Sequence, residues 1–253
     1  MIEISHINKS FDGHQVIKDI TTAFERGKTN LIIGQSGSGK TVLMKCCIGL
    51  HNVDHGEIRF NGRLFSNLNE KKRKHIRQEM GVLFQGGALF DSYSVEENVM
   101  FPLNMFTNMS EVEKKKRVDY VLEHVNLPGS NNKYPGELSG GMIKRVAIAR
   151  AIVLIPKYLF ADEPNSGLDP KTAEVIDKLL SDLTEEFNMT TVINTHDMNS
   201  VLQIGQHINY LHKGELWWTG TNKEIMKTEN PELNEFVFST ELTRRLKSKQ
   251  PTI

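Results

Sequence analysis

Short apolar runs alternate with longer amphipathic ones along most of the chain, and the period of each run sets the element it predicts. Strands are expected over 2–7, 16–24, 29–33, 57–60, 80–84, 158–161 and 190–194, with a hairpin of 208–211 and 215–218. Helices are expected over 40–50, 69–79, 94–98, 110–125, 139–154, 170–187, 221–227 and 231–246. Asp12-Gly13 and Asn61-Gly62 have the chemistry of tight turns, and Lys213-Gly214 sits between the last two strands. Ser110 with Glu113 three residues on is a capping-box pattern at a helix start. The run 29–33 ends at a glycine and suits a buried parallel strand. Together the order predicts an α/β fold with a mainly parallel core sheet, an N-terminal antiparallel β subdomain and a helical insertion at about 90–155. One unit is expected over 1–230, followed by a helical extension over 231–253 whose last ten residues form a solvated or partner-bound tail.

Composition narrows the classes. The 253 residues leave room for one or two domains and a substantial core. Thirty-one Lys and Arg offset thirty-one Asp and Glu, so the net charge is zero. A general nucleic-acid binder needs a basic excess to neutralise phosphates, so no nucleic-acid partner is expected. The basic run 114–117 reads as a solvated helix face. Mean hydropathy is -0.38, and the most apolar stretch, 147–161, is interrupted by Arg150, Pro156 and Lys157. A bilayer span needs about eighteen uninterrupted apolar residues, so none is expected. The first residues lack a basic start followed by an apolar run, and a cytoplasmic location is expected. Cys46 and Cys47 are adjacent, which disfavours a disulfide between them and offers no spaced metal quartet.

The chemistry begins at Gly34, Gln35, Ser36, Gly37, Ser38, Gly39, Lys40 and Thr41, which match G-x-x-x-x-G-K-[ST] between an expected strand and an expected helix. The four fixed positions co-occur by accident in roughly one chain of this length per hundred, and the flanking elements lower that further. Glycines let backbone N–H groups wrap a phosphate, and the helix N-terminus adds a positive dipole. Lys40 is expected on the β- and γ-phosphates of a nucleoside triphosphate and the Thr41 hydroxyl on Mg²⁺. Asp162 and Glu163 close an apolar strand, where Asp162 can hold Mg²⁺ and Glu163 can take a proton from the attacking water. Ser139, Gly140 and Gly141 start another helix. Taken alone they read equally as a helix cap or as a second anion cradle, which in a head-to-tail dimer would cover the nucleotide of the other copy.

In this order the motifs resemble those of the ATP-binding cassette (ABC) ATPases, from about residue 2 to 227. Leu138-Ser139-Gly140-Gly141-Met142 is similar to the family's signature, with Met142 in place of the usual Gln. Gln85, after Gly81-Val82-Leu83-Phe84, resembles the glutamine that reaches Mg²⁺ and the attacking water and reports to the membrane partner. Ser166-Gly167-Leu168-Asp169 resembles the segment whose aspartate, here Asp169, crosses the dimer interface. His196 stands where the family has a histidine on the γ-phosphate. Phe11 stands where the family stacks an aromatic ring on adenine, with core packing as the competing reading. The resemblance implies ATP and Mg²⁺, catalysis by Glu163, His196 and Gln85, metal contacts from Thr41, Gln85 and Asp162, and a homodimer in which Ser139, Gly140, Gly141 and Asp169 act in trans.

Met142, the stretch Phe84-Gln85-Gly86-Gly87-Ala88-Leu89-Phe90-Asp91-Ser92 and the following Val95-Glu96-Glu97-Asn98-Val99 are similar to the ATPases of bacterial lipid transporters of the maintenance-of-lipid-asymmetry (Mla) and Mce-associated type. That resemblance implies a peripheral subunit on the cytoplasmic face of the inner membrane, with phospholipid as cargo and an Mce-type lipid-binding component in the same complex. It also implies an integral membrane permease docked near Gln85 to Phe101. Ala88-Leu89-Phe90 and Val99-Met100-Phe101 suit that docking, with core packing of part of the run as the alternative. Asn165, where cassettes often carry Thr or Ser, lies beside the catalytic pair and can tune its rate in either direction. An ABC ATPase for another cargo, or a soluble non-transport one, is the alternative reading.

Overall fold

The computed structural model describes residues 1–66 and 68–238. Among the described residues ten strands form two sheets. The first contains β1 (Ile2–Phe11), β2 (His14–Phe24), β4 (His55–Phe60) and β5 (Arg63–Leu64) in the antiparallel order β2-β1-β4-β5. The second contains β3 (Thr29–Ile33), β6 (Met80–Leu83), β7 (Tyr158–Asp162), β8 (Thr190–Thr195), β9 (His207–His212) and β10 (Glu215–Gly220). Its order is β10-β9-β3-β8-β7-β6, parallel except for the edge strand β10. The β1–β2 hairpin closes on Asp12 and Gly13, both at positive φ (48° and 79°), the conformation a two-residue turn of this hand requires.

The helices are α1 (Lys40–Cys47), α2 (Glu70–Arg77), α3 (Val95–Phe106), α4 (Glu111–His124), α5 (Gly140–Ile152), α6 (Pro170–Glu186), α7 (Met198–Ile204), α8 (Asn222–Ile225) and α9 (Pro231–Val237). Because side chains alternate across a strand, the parallel sheet feeds two cores. Leu31, Ile33, Leu159 and Ala161 face the side covered by α3, α4, α5 and α6. Ile32, Tyr158 and Phe160 face α1 and the antiparallel sheet. Both faces are therefore buried, which explains the apolar runs Leu31 to Ile33 in β3 and Tyr158 to Ala161 in β7. Ser110 and Glu113 form the reciprocal capping bonds their spacing predicts.

Several ends differ from expectation. Helix α1 stops at Cys47 and not at Leu50, because Gly49 takes φ 76° and leaves Leu50 on the surface. Strand β6 stops at Leu83, so Phe84 is exposed. Helix α3 runs to Phe106, well past Asn98 and through Pro102, whose missing N–H removes one bond of an otherwise continuous helix. Of the apolar run set aside for docking, Val99 and Met100 are buried in the core, since the longer helix turns them inward. The strand β5 and helix α7 lie in stretches too short or too polar for a periodic signal. Of the helix expected over 231–246, the first part is α9, and residues 239–253, with the tail, lie outside the described residues. No helix among the described residues is long and apolar enough to cross a membrane.

Candidate nucleotide site

The parallel register brings three strand ends to one edge. Ile33 pairs with Thr195 and Asp162 with Asn194, so the turns after β3, β7 and β8 emerge side by side. After β3 the chain turns at Gly34, where φ is 150° and a Cβ would lie 2.2 Å from the Leu211 carbonyl oxygen, so only glycine fits. Gly39, at φ 102°, caps α1. Lys40 is buried and donates to the carbonyl oxygens of Gly34 (2.7 Å) and Gln35 (3.0 Å), folding the ammonium over the loop. Burial lowers its pKa, against the opposing fields of Glu163 and Asp162.

The Thr41 hydroxyl donates to Asp162 Oδ1 at 3.3 Å, and Asn194 Nδ2 donates to the same oxygen at 2.9 Å. A hydroxyl and a carboxylate so paired are hard oxygen donors of the kind Mg²⁺ takes alongside substrate phosphates. Among the described residues no cluster of three or more His, Cys, Asp or Glu is placed to hold a metal by itself. A cavity of about 650 Å³ opens on the loop, lined by Gln35, Ser36, Gly37, Lys40 and Thr41 on one side and Glu163 and His196 on the other.

Glu163 has φ 47°, a left-handed conformation that a glutamate adopts at some cost and that aims its carboxylate back toward the loop. Gln85 Nε2 donates to Glu163 Oε2 at 3.0 Å, and His196 Nδ1 lies 2.8 Å from Glu163 Oε1. Two side chains from two neighbouring turns thus converge on one carboxylate. Two cations on α5 hold the glutamine loop from behind. Lys144 Nζ donates to the Gln85 carbonyl, and Arg150 donates to the carbonyls of Gly87 (2.6 Å) and Ala88 (2.8 Å), the latter residue at φ 48°. Sequence reading missed both cations, although Lys144, Arg145 and Arg150 on an otherwise apolar helix were the available signal.

Other expected residues stand apart from the cavity. Ser139 caps α5, accepting from Met142 N at 3.3 Å, and Gly141 packs so closely on α6 that a Cβ would meet Thr172 at 2.6 Å. Asp169 caps α6, accepting from Thr172 N at 3.1 Å. Ser139, Gly140, Gly141 and Asp169 therefore neighbour one another and do not line the cavity. Phe11 is 38% exposed, its ring edge-on to His51 at 5.1 Å with Lys9 over its face at the same distance, and it does not line the cavity either. Core packing is excluded for it. Phe236 of α9 does line the cavity, a contribution no motif announced.

A phosphate loop, a paired hydroxyl and carboxylate, and a carboxylate flanked by Gln and His define a P-loop nucleoside triphosphatase. The family profile described as ABC transporter matches residues 17–166. The methionine import ATP-binding protein MetN of Campylobacter jejuni is 36% identical over 94% of this chain and 75% of its own length. A probable ribonucleotide transport ATP-binding protein, mkl of Mycobacterium leprae, is 35% identical over 93% of this chain and 68% of its own. Among solved structures, the dimeric post-hydrolysis state of the ATP-binding cassette MJ0796 bound to ADP and Pi superposes with a TM-score of 0.80 at 32% identity, covering 88% of this chain and 99% of that one. CbiO1 of Clostridium perfringens, part of an ABC transporter complex, gives 0.84 at 30% identity over 98% and 97%. The chain belongs to the ABC transporter family, as an ATP-binding and ATP-hydrolysing subunit.

Proposed function

We propose that two copies of this chain close head to tail on two ATP molecules and that closure and hydrolysis drive an integral membrane permease. The observation that carries this is the convergence of Gln85 and His196 on Glu163 at the mouth of the phosphate loop. Lys40 exchanges its two loop carbonyls for the β- and γ-phosphates, a switch between acceptors that needs little backbone movement. Thr41, Asp162 and Gln85 would hold Mg²⁺, which when bound neutralises charge on the phosphates. Glu163 takes a proton from water as the water oxygen bonds the γ-phosphorus and the bond from that phosphorus to the β,γ-bridging oxygen breaks, leaving ADP and phosphate. His196 orients the γ-phosphate, and Phe11, partly exposed beside Lys9 and His51, stacks on adenine. In this reading Ser139, Gly140, Gly141 and Asp169 serve the nucleotide of the other copy, which agrees with their standing outside the cavity of their own chain.

The unit over 1–230 is the cassette, and the permease docks near Gln85 to Phe101, where Phe90 and Tyr93 are exposed, on the cytoplasmic side of a bacterial inner membrane. Phospholipid is the proposed cargo, with an Mce-type component in the complex. It is supported by the Leu138 to Met142 segment and the stretch from Phe84 to Ser92, while the named relatives are a methionine importer subunit and a probable ribonucleotide one. Two experiments test the reading. Lys40→Ala should lose most ATP binding, and Glu163→Gln should bind ATP, turn over slowly and accumulate as a closed dimer; wild-type turnover in the second variant would refute the assignment. Purification from detergent-solubilised membranes should bring down a permease, an Mce-type protein and phospholipid. A permease with a soluble binding protein and no lipid would replace the cargo.

A further inference from the structure

Asn165 lies two residues beyond Glu163, yet its side chain turns away from the nucleotide cavity into the protein. Its Nδ2 donates to Ser200 Oγ at 2.8 Å and toward both Asp177 oxygens at 3.3 and 3.5 Å. The Ser200 hydroxyl lies 2.6 Å from Asp177 Oδ2, closing a three-membered cluster. Asp177 and Ser200 are only 2% and 1% exposed, and Asn165 9%. A carboxylate in this setting, inside an apolar helix face of α6, is expensive to bury and is retained only where its partners are satisfied.

The cluster joins three segments that the site uses. Asn165 belongs to the turn that carries Glu163, and that turn is closed by Ser166 N donating to the Glu163 carbonyl and Leu168 N to the Asn165 carbonyl. Ser200 lies in α7, whose cap residue Asp197 directly follows His196. Asp177 touches both, from a helix anchored in the core by Ile176, Leu180 and Leu183, and so backs the direct bond between Asn165 and Ser200. We propose that Asp177 is a positioning residue for ATP hydrolysis, fixing the Glu163 turn and the start of α7 to one another so that His196 stays within hydrogen-bond reach of Glu163. The proposal rests on the roles given above to Glu163 and His196.

The proton balance of the cluster favours the ionised carboxylate as the better organiser. Ionised, Asp177 accepts from Ser200, and Ser200 accepts from Asn165, so every polar hydrogen in the cluster has an acceptor. Protonated, Asp177 donates to Ser200, and the serine's own hydrogen must find another acceptor. Burial opposes ionisation and raises the Asp177 pKa to about 6. The charged groups around the adjoining cavity are Lys171 and Glu174 from α6 and Asp197 from the turn before α7. Asp197 adds to the rise.

The test uses the full-length chain with Mg-ATP, each variant assayed below its own measured unfolding temperature. Ser200→Ala and Asp177→Asn should lower kcat by about five- to tenfold, as a small misplacement of reacting groups does, with KM for ATP within about twofold. Asn165→Ala combined with Ser200→Ala should fall no further than the worse single variant, since both break one cluster. In a spectrum of histidine-labelled protein, Ser200→Ala should also move the His196 imidazole signal, a readout independent of turnover. Wild-type kcat with an unmoved His196 signal, or a loss explained wholly by KM or by unfolding, overturns the proposal. Glu163→Gln is run alongside. If it abolishes turnover while the cluster variants do not, only this inference fails; if it turns over normally, the site assignment fails and the inference with it. If Asp177→Asn does not fold, Ser200→Ala, which removes a single hydroxyl, decides the matter.

Discussion

Asp177 keeps its proton to about pH 6 against an ordinary 3.8, first because burial disfavours the charged form, with Asp197 adding to the rise and Ser200 and Asn165 opposing it. The consequence for stability has a definite sign. Below pH 3.8 both folded and unfolded chains hold the proton, so this residue contributes no slope. Between 3.8 and about 6 the unfolded chain has released it and the native chain has not, so stability falls as pH rises through that window. The full drop is about 3 kcal/mol at 1.36 kcal/mol per pH unit. Asp177→Asn has no such proton, so urea unfolding of the variant should lose this descent between pH 4 and 6. At pH 7 the variant should unfold at a urea concentration no lower than the wild type. A variant that is no less stable and yet slower would separate the positioning role from a structural one; an unchanged slope would show that the carboxyl is not protonated in the folded chain.

At the scale of the elements, α5 joins the Ser139 end to the glutamine loop. Arg150 puts two charge-assisted bonds on the Gly87 and Ala88 carbonyls, and hydrogen bonds to charged groups are worth about 1.5–3 kcal/mol each. Arg150→Met should therefore destabilise the protein by about 3–6 kcal/mol and speed amide exchange over 85–90. Turnover should fall severalfold as Gln85 loses its backing, while exchange in β3 stays slow. The strands β3, β7 and β8 were legible in the sequence because both faces are buried and each carries a short apolar run, Leu31 to Ile33, Tyr158 to Ala161 and Val192 to Ile193. The phosphate loop was legible because its glycines and lysine are adjacent in the chain. The cluster of Asn165, Asp177 and Ser200 was not, since its members come from three elements and each reads alone as an ordinary polar residue. Nor was the burial of Val99 and Met100, which depended on α3 continuing through Pro102. Local spacing revealed what is built locally, and the supports assembled by tertiary contact had to be seen.

For the whole molecule the question is where Ser139, Gly140 and Gly141 act. In one chain they neighbour Leu168 and Thr172 and do not line the cavity that Lys40 and Glu163 line, so under the proposed function a single copy would hold two half-sites. A head-to-tail pair joins each half to its complement, and a two-fold axis makes the two composite sites equal. Complementation tests this directly. Lys40→Ala disables the phosphate loop and leaves Ser139 intact; Ser139→Arg does the reverse, planting a bulky cation at the start of α5. Each variant alone should be nearly inactive, since every site then contains one damaged half. In a mixed pair both lesions fall in the same composite site, and the other site is wholly intact. Equal mixing makes about half of the pairs mixed, each with one of two sites working, so the mixture should recover up to about a quarter of wild-type turnover if sites work independently. Recovery should appear only at concentrations that allow pairing and should vanish when Glu163→Gln is added to the Ser139→Arg chain, because that chain supplies the only working loop. If Ser139 instead served the nucleotide of its own chain, every site in every pair would carry a lesion, and mixing would restore nothing.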